Sequence, residues 1–241
     1  MRAARNPNPE VVKVLLENGA NISARNEYVH GSHTALSLAA GGNSNPEVVK
    51  MLLEAEDYAT RRALLKGEIS FGYAGFSGGR FTFRTTLLGE AARAGNFDVV
   101  KFLLKAGADV NAQSVDGRTA LMDAAAFSSN PKLLEVLLEA GSDINAKDNW
   151  GKTALMEAAT NSVEMTELLL SAGADVNMQD GDGKTALMWT WLMPWLPGRE
   201  EISQMLISAG ADVNIRDEEG RRAEDFAKDR PAVWELSPDV E

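Results

Sequence analysis

The sequence of 241 residues predicts an all-α solenoid made of repeated helix–turn–helix units. The first observation is a threonine that precedes an apolar stretch and recurs at intervals of 33, 34 and 32 residues, at Thr86, Thr119, Thr153 and Thr185. The second is a glycine-led segment that closes each unit as GADVN or GSDIN, with a looser copy, GANIS, from Gly19. Fixed periods of this length are typical of solenoids, in which each unit buries its apolar face against its neighbours.

The most complete unit, residues 148–179, shows how the first half of each unit is expected to fold. Asp148 and Gly151 predict a turn, because Asp accepts hydrogen bonds from the backbone that follows it and Gly takes a positive φ without steric cost. Thr153 is then placed to cap a first helix with its hydroxyl. Apolar side chains follow at the i, i+3, i+4 spacing of one buried helix face, at Leu155, Ala158 and Ala159.

The second half of the same unit predicts a second helix. Asn161 and Ser162 interrupt the first helix and separate the two. Gly173 stands where a helix C-terminus favours a left-handed residue. The buried side of the second helix is expected at Met165, Leu168 and Leu169.

These registered copies resemble the ankyrin repeat, and the resemblance covers most of the chain. It implies a helix–turn–helix followed by a β-hairpin finger in each repeat. The family's usual T-P-L-H is here T-A-L-M at Thr119, Thr153 and Thr185. Flexible methionine packing is therefore expected where the family has a histidine that bonds across the turn.

The predicted organisation is a single array over residues 1–241. Its repeats are expected at 1–26 (partial), 27–57, 86–113, 114–147, 148–179 and 180–216, with a C-terminal cap at 217–236. The chain enters in mid-repeat without a polar outer face, which predicts a cut from a longer protein. Arg222 and Glu224 occupy core positions of the last half-repeat and therefore predict an outermost face, and residues 237–241 are expected to be disordered.

Residues 58–85 are the main departure from the repeat. At three junctions the last core leucine of the second helix lies 15 residues before the next capping threonine. Between Leu53 and Thr86 the same interval is 33 residues. Glu56 replaces the usual glycine, so the second helix is expected to run on through Tyr58–Leu65 to Gly67. An alternating pattern around a glycine-rich stretch then predicts a β-hairpin that replaces the ordinary finger, with Ile69, Phe71, Tyr73, Phe81 and Phe83.

The composition predicts no metal site and no cofactor. There is no cysteine, and the only histidines, His30 and His33, lack a third ligand nearby. The stretch from Asp180 to Gly183 resembles a calcium loop, but Lys184 occupies the third ligand position, so a finger turn is the better interpretation. No apolar run approaches the roughly 18 residues of a membrane helix. We expect no membrane partner and a cytoplasmic location.

The charge is unevenly distributed. The whole chain carries −11, with net +2 over residues 1–120 and net −13 over residues 121–241. The acidic half could steer a basic protein partner, although a well-solvated convex face would look the same. The overall charge disfavours nucleic acid as a partner of the array.

No group of residues predicts catalysis. Gly75–Gly79 fits G-x-S-x-G, but both histidines precede Ser77, and no phosphate loop is present. The ankyrin resemblance implies a non-catalytic protein–protein interaction module whose partner binds the concave face of fingers and inner helices. The alternative is an enzyme or a single-stranded nucleic-acid binder that acts through residues 58–85, where basic and aromatic residues alternate with a net charge of +4.

The resemblance also implies which positions vary with the partner. At the finger tips these are Val115, Asp116, Asn149, Trp150, Gly181 and Asp182; on the inner helices they are Arg118, Asp123, Phe127, Lys152, Glu157, Asn161, Lys184 and Trp189. Trp150 is the strongest candidate, because a finger tip is a poor place to bury an indole. The other interpretation folds Trp150 against its own finger. Trp191 is interpreted as core, and Trp189 is expected to be more exposed.

The insertion predicts a second contact surface. We hypothesise that residues 68–85 project as a hairpin whose basic, aromatic face contacts the acidic half of another copy and gives weak self-association. Its contact residues would be Phe71, Tyr73, Phe81 and Phe83. In the competing picture the same aromatic side chains lie back on residues 58–65, and the chain is monomeric.

Overall fold

A computed structural model describes residues 2–24, 33–69, 71–74, 82–193 and 196–226, and of residues 71–74 and 82–84 it describes the backbone alone. The chain divides into two compact units, which we call the N-terminal unit (Met1–Ser142) and the C-terminal unit (Asp143–Glu241). The predictions for residues 237–241, His30, Phe81 and Trp195 lie outside the described residues.

The described residues form twelve α-helices, two 3₁₀ helices and two short strands, as the repeat pattern predicts for an all-α solenoid. The α-helices are α1 (Pro9–Glu17), α2 (Ala35–Gly42), α3 (Pro46–Ala55), α4 (Tyr58–Leu65), α5 (Leu87–Arg93), α6 (Phe97–Lys105), α7 (Ala120–Phe127), α8 (Pro131–Glu139), α9 (Ala154–Ala158), α10 (Val163–Ser171), α11 (Ala186–Leu192) and α12 (Arg199–Ser208). The 3₁₀ helices are Arg2–Arg5 and Ala223–Phe226, and the strands are β1 (Phe71–Ala74) and β2 (Thr82–Thr85).

The recurring threonine begins the first helix of each repeat, which confirms the capping prediction. Before α9, the Thr153 hydroxyl accepts a hydrogen bond from the backbone amide of Met156, and Thr86 does the same for the amide of Gly89 at 3.0 Å. The cap satisfies one of the amides that a helix N-terminus otherwise leaves without an acceptor. The same cap begins α2, α7 and α11, at Thr34, Thr119 and Thr185.

The predicted helix faces form the core of the repeats. In residues 148–179 the buried side chains include Leu155, Ala158, Ala159, Met165 and Leu169, whereas Leu168 is half-buried. The methionines of T-A-L-M are buried as well, which confirms that they fill the core, at Met122, Met156 and Met188. Removing apolar area of this kind from water contributes roughly 25 cal/mol per Å².

The asparagine of GADVN links successive repeats. The Nδ2 atom of Asn111 donates to the Gly141 carbonyl at 3.0 Å, and that of Asn177 donates to the Gly210 carbonyl at 3.0 Å. The Oδ1 atom of Asn177 also accepts from the Asp212 amide at 2.7 Å. Because each side chain satisfies backbone groups of the following repeat, the asparagine recurs with the period of the array.

The ordinary fingers are tight turns without strands in the described part of the chain. The Oδ1 atom of Asp148 accepts from the amides of Trp150 and Lys152, each at 2.9 Å, and Gly151 takes φ +78°. One backbone bond joins the two arms, from the Asp148 amide to the Lys152 carbonyl at 3.0 Å. The predicted Asp-x-x-Gly turn is therefore present, whereas the β-hairpin that the family resemblance implied is not confirmed in the described fingers.

The second helix does not run on into the insertion, so that prediction was wrong. Helix α3 ends at Ala55, and Glu56 is extended at ψ 150°. Asp57 then caps a separate helix, α4, because its Oδ1 atom accepts from the Thr60 amide at 3.0 Å. The Asp57-x-x-Thr60 spacing was a sequence signal for this break.

Arg61 caps the C-terminus of α3, where the other repeats have a glycine. Its guanidinium donates to the carbonyls of Leu53, Glu54 and Glu56 at 3.0, 2.6 and 3.0 Å. The carbonyls at a helix C-terminus have no partner within the helix, and a cation there is also favoured by the helix dipole; the Leu53 carbonyl accepts in addition from the Glu56 amide at 3.4 Å. The side chain of Arg61 therefore holds α4 against the end of α3.

The strands of the insertion pair antiparallel. Residue 71 lies opposite residue 85, and residue 73 lies opposite residue 83. The residues between the strands, 75–81, are outside the described part of the chain. The projection of this hairpin and its contact residues therefore stay predictions.

Candidate functional site

Trp150 is the most prominent residue of the predicted interaction face of the C-terminal unit. Its side chain is 51% exposed at the tip of the finger before α9. The backbone on both sides of the indole is fixed, since the Trp150 amide donates to Asp148 and the Trp150 carbonyl accepts from the Gly181 amide at 2.7 Å. A large aromatic surface is thus held open to solvent on a rigid turn.

Neighbouring fingers of this unit are joined by backbone contacts. The Glu218 amide donates to the Asp182 carbonyl at 2.9 Å, repeating the bond between Gly181 and Trp150 one finger earlier. Glycine is required at the contact, because a Cβ atom at Gly151 would lie 2.7 Å from the Gly181 amide nitrogen. The fingers therefore form one continuous edge.

Trp189 lies on α11 and is hydrogen-bonded to the finger turn that precedes this helix. Its Nε1 atom donates to Asp180 Oδ2 at 2.7 Å, and the Lys152 ammonium lies 3.6 Å from the centre of the indole ring. The other carboxylate oxygen of Asp180 accepts from the amides of Asp182 and Lys184, at 3.0 and 2.8 Å. These bonds confirm that the calcium-like stretch is a finger turn, and they fix the ring of Trp189 in place.

The remaining predicted positions of this unit are at least partly accessible. Asn149, Asn161, Gly181 and Asp182 are exposed, and Lys152, Glu157, Lys184 and Trp189 are half-buried. Trp191 is buried at 5% exposure, as its interpretation as core predicted.

The equivalent face of the N-terminal unit differs. Val115 and Phe127 are exposed and Asp116 is half-buried, but Arg118 and Asp123 are buried. The Arg118 Nε atom donates to Asp123 Oδ1 at 2.9 Å, so these two residues stabilise the fold. Their placement on an accessible binding surface was wrong.

Asp123 is buried where the end of β2 packs against α7. The Thr85 hydroxyl at the end of β2 donates to its Oδ2 atom at 2.5 Å. Burial raises the pKa of Asp123, whereas Arg118 and Thr85 oppose that rise by favouring the carboxylate. Spacing in sequence could not reveal this, because Thr85 belongs to the insertion.

Glu90 on α5 is a charged residue that sequence reasoning missed. Its side chain is 4% exposed, and its Oε2 atom has no hydrogen-bond partner among the described residues. Its carboxyl group lies against Gly41, where a Cβ atom would overlap it. Burial, together with the charge of Asp123, raises the pKa of Glu90 to about 8, although Arg93 and Arg5 act in the opposite direction.

Phe127 is the aromatic counterpart in this unit. The Arg93 guanidinium lies 4.2 Å from its ring centre and the Arg118 guanidinium 5.6 Å from it. These distances are within the range of cation–π attraction. Phe127 therefore lies against the guanidinium groups of Arg93 and Arg118 while 44% of its surface stays exposed.

The described part of the chain shows neither a metal centre nor a membrane span. No group of three or more His, Asp or Glu residues there could hold a metal ion. No helix within it is long and apolar enough to cross a bilayer. The side chains proposed for the insertion contact, Phe71, Tyr73, Phe81 and Phe83, lie outside the described set.

Comparison with known families agrees with this architecture. A family model for ankyrin repeats in three copies matches residues 1–114, 73–148 and 121–217. No curated protein matches the sequence. Ankyrin repeats generally mediate protein–protein interactions and are typically non-catalytic. Since the matched residues span most of the chain, this protein belongs to the ankyrin repeat family.

Proposed function

We propose that this chain is a non-catalytic module that binds a protein partner on the face formed by the fingers and first helices of the C-terminal unit. The observation that carries the proposal is the half-exposed indole of Trp150. An aromatic side chain kept accessible on a rigid turn gains more by binding a partner than by its present contacts.

Preorganisation supports this assignment. The Trp150 amide and carbonyl are both hydrogen-bonded, so little backbone entropy is lost when a partner binds. Trp189, fixed by Asp180 and Lys152, extends the aromatic surface from the finger to the first helix. Tryptophan is the residue type most often found as an interface hot spot, at about 2 kcal/mol or more on truncation.

The charge of the unit supports a basic partner. Residues 143–241 carry 9 Lys and Arg against 20 Asp and Glu, a net charge of −11. A surface of one sign steers an oppositely charged partner and makes the association depend on salt. We therefore propose a partner segment rich in Lys or Arg with an apolar side chain that contacts Trp150.

The test is selection from a displayed library of random peptides, followed by affinity measurement on purified clones. Peptides selected by the wild-type chain should be enriched in Lys and Arg, and Trp150→Ala should weaken their binding about 30-fold, the equivalent of roughly 2 kcal/mol. Val14→Ala is the matched control, since Val14 is also apolar and exposed but lies on α1. Selected peptides that bind Trp150→Ala and the wild type equally would overturn the proposal.

A further inference from the structure

We propose that two copies of this chain bind head to tail, through the α4 helix of one copy and the groove between α10 and α12 of the other. The proposed contact uses residues of α4, α10 and α12, and it includes none of the residues named for the partner-binding face proposed above.

One face of α4 is exposed to solvent and does not pack against the rest of the described chain. Tyr58 is 80% exposed, and Arg62 and Lys66 are exposed at four-residue spacing, which places all three on the same side of the helix. We call these three residues the α4 face. They border a shallow cleft of about 300 Å³ that also includes Leu65 and Gly107.

The other side of α4 holds the helix in place. Leu64 is buried, Arg61 caps α3, and the Leu65 carbonyl accepts from the Asp109 amide at 2.9 Å. These contacts account for the position of α4 without the α4 face. Arg62 and Lys66 make no ion pair with the side chains that the structure describes.

The groove in the C-terminal unit has the complementary character. It has a volume of about 550 Å³ and lies between α10 and α12, with Leu170 and Met205 among its apolar residues. Glu167 and Glu201 line it and are exposed. Neither glutamate forms an ion pair with a cation in the described ranges. We call this the acidic groove.

The two surfaces match in charge and in kind. The α4 face offers two cations and one aromatic ring, and the acidic groove offers two carboxylates together with the apolar side chains of Leu170 and Met205. The insertion that carries the α4 face has net charge +4, in a chain whose C-terminal unit has net charge −11. A second copy therefore supplies what each surface lacks, and the pairing is heterologous, so it either closes or continues.

The contact is small, so the association is weak and depends on salt. Ion pairs at an exposed surface are screened over about 8–10 Å at physiological ionic strength. Contacts well below the area of a stable interface dissociate at micromolar concentrations. We expect association at protein concentrations on the order of 0.1–1 mM in about 50 mM salt, and its loss in about 500 mM salt.

Sedimentation velocity of the full chain tests the pairing. The wild type should show a weight-average sedimentation coefficient that rises with concentration at low salt. Two double variants, Arg62→Glu with Lys66→Glu and Glu167→Lys with Glu201→Lys, should each remain monomeric. An equimolar mixture of the two variants should associate again, because each then presents the charge that the other lost.

Two controls complete the experiment. Lys101→Glu with Lys105→Glu makes the same charge change at exposed positions of α6 and should leave self-association intact. Trp150→Ala should also leave it intact, which separates this proposal from the partner-binding face. A wild type that stays monomeric at low salt, or a mixture that fails to associate, would overturn it.

Discussion

One position of the repeat is buried on two helices of the N-terminal unit, α5 and α7, but only half-buried on two helices of the C-terminal unit, α9 and α11. The fourth residue after the capping threonine is Glu90 on α5 and Asp123 on α7 in the N-terminal unit, and both are buried. In the C-terminal unit it is Glu157 on α9 and Trp189 on α11, and both are half-buried. This position is therefore structural on α5 and α7 and partly accessible on α9 and α11.

The difference arises from neighbours that are distant in sequence. Thr85 and Arg118 occupy both carboxylate oxygens of Asp123, and Gly41 leaves room for the carboxyl group of Glu90. Burying charges in this way is costly unless every group is paired. We infer that α5 and α7 use this position for internal contacts, whereas α9 and α11 keep it partly accessible.

The units can be followed separately in solution. All five tryptophans, Trp150, Trp189, Trp191, Trp195 and Trp234, lie in the C-terminal unit. Tryptophan fluorescence therefore reports the unfolding of that unit, whereas circular dichroism reports both. Because contacts in a solenoid are between neighbours, the two signals are expected to separate when one unit is destabilised.

Loss of the buried ion pair should have the largest effect. Arg118→Met leaves the Asp123 carboxylate buried without its cation, at a cost of about 3–5 kcal/mol. In urea, the circular dichroism transition should shift to lower denaturant and separate from the fluorescence transition.

Lys152→Met, which removes the cation above Trp189, is the comparison variant in the C-terminal unit and should cost less than about 1 kcal/mol. Equal losses in the two variants would contradict the contrast between the units.

The protonation of Glu90 should give the next largest effect. Its folded pKa of about 8 lies above its ordinary value of 4.5, so the folded chain binds the proton more tightly than the unfolded chain. Its contribution to stability is present below pH 4.5 and is lost as the pH rises towards 8. Glu90→Gln removes this loss and should stabilise the chain by on the order of 2–4 kcal/mol at pH 8, but little at pH 4.5.

Thermal unfolding between pH 4.5 and pH 9 provides the measurement for Glu90. Glu157→Gln is the matched control, since Glu157 occupies the same repeat position but is half-buried. We expect the control to change stability by less than about 0.5 kcal/mol across the range. A Glu90→Gln profile parallel to that of the wild type would show that the buried carboxyl group does not titrate in this window.

The smallest effect is expected in the accessible unit. Trp189→Phe keeps an aromatic ring but loses the hydrogen bond from Nε1 to Asp180, at a cost of about 1 kcal/mol because the pair is partly solvated. Its fluorescence transition should shift slightly while the transition of the N-terminal unit stays in place. A loss as large as that of Arg118→Met would mean that Trp189 is also structural.

Several features of the candidate site could be predicted from the sequence. The ankyrin resemblance placed Trp150 at a finger tip, and in the structure Trp150 is half exposed in the turn between Asp148 and Gly151. Trp191 was assigned to the core from its place in the repeat, and it is buried. Asp123 was misplaced because Thr85, whose hydroxyl donates to it, belongs to the insertion, and Arg118 is buried with it as its ion-pair partner. Glu90 was missed because Gly41, against which its carboxyl group lies, belongs to another repeat.

The repeat itself was determined by the sequence, because its signals are local. The threonine caps, the positive-φ glycines and the Asp-x-x-Gly turns act within about five residues, so their spacing already specifies helix pairs and fingers. Only the tertiary structure decided which charges are buried and which face stays accessible. Burial depends on atoms brought together from separate repeats, as Gly41 and Thr85 are at Glu90 and Asp123, and the free energy of a charge changes with the water that those atoms exclude.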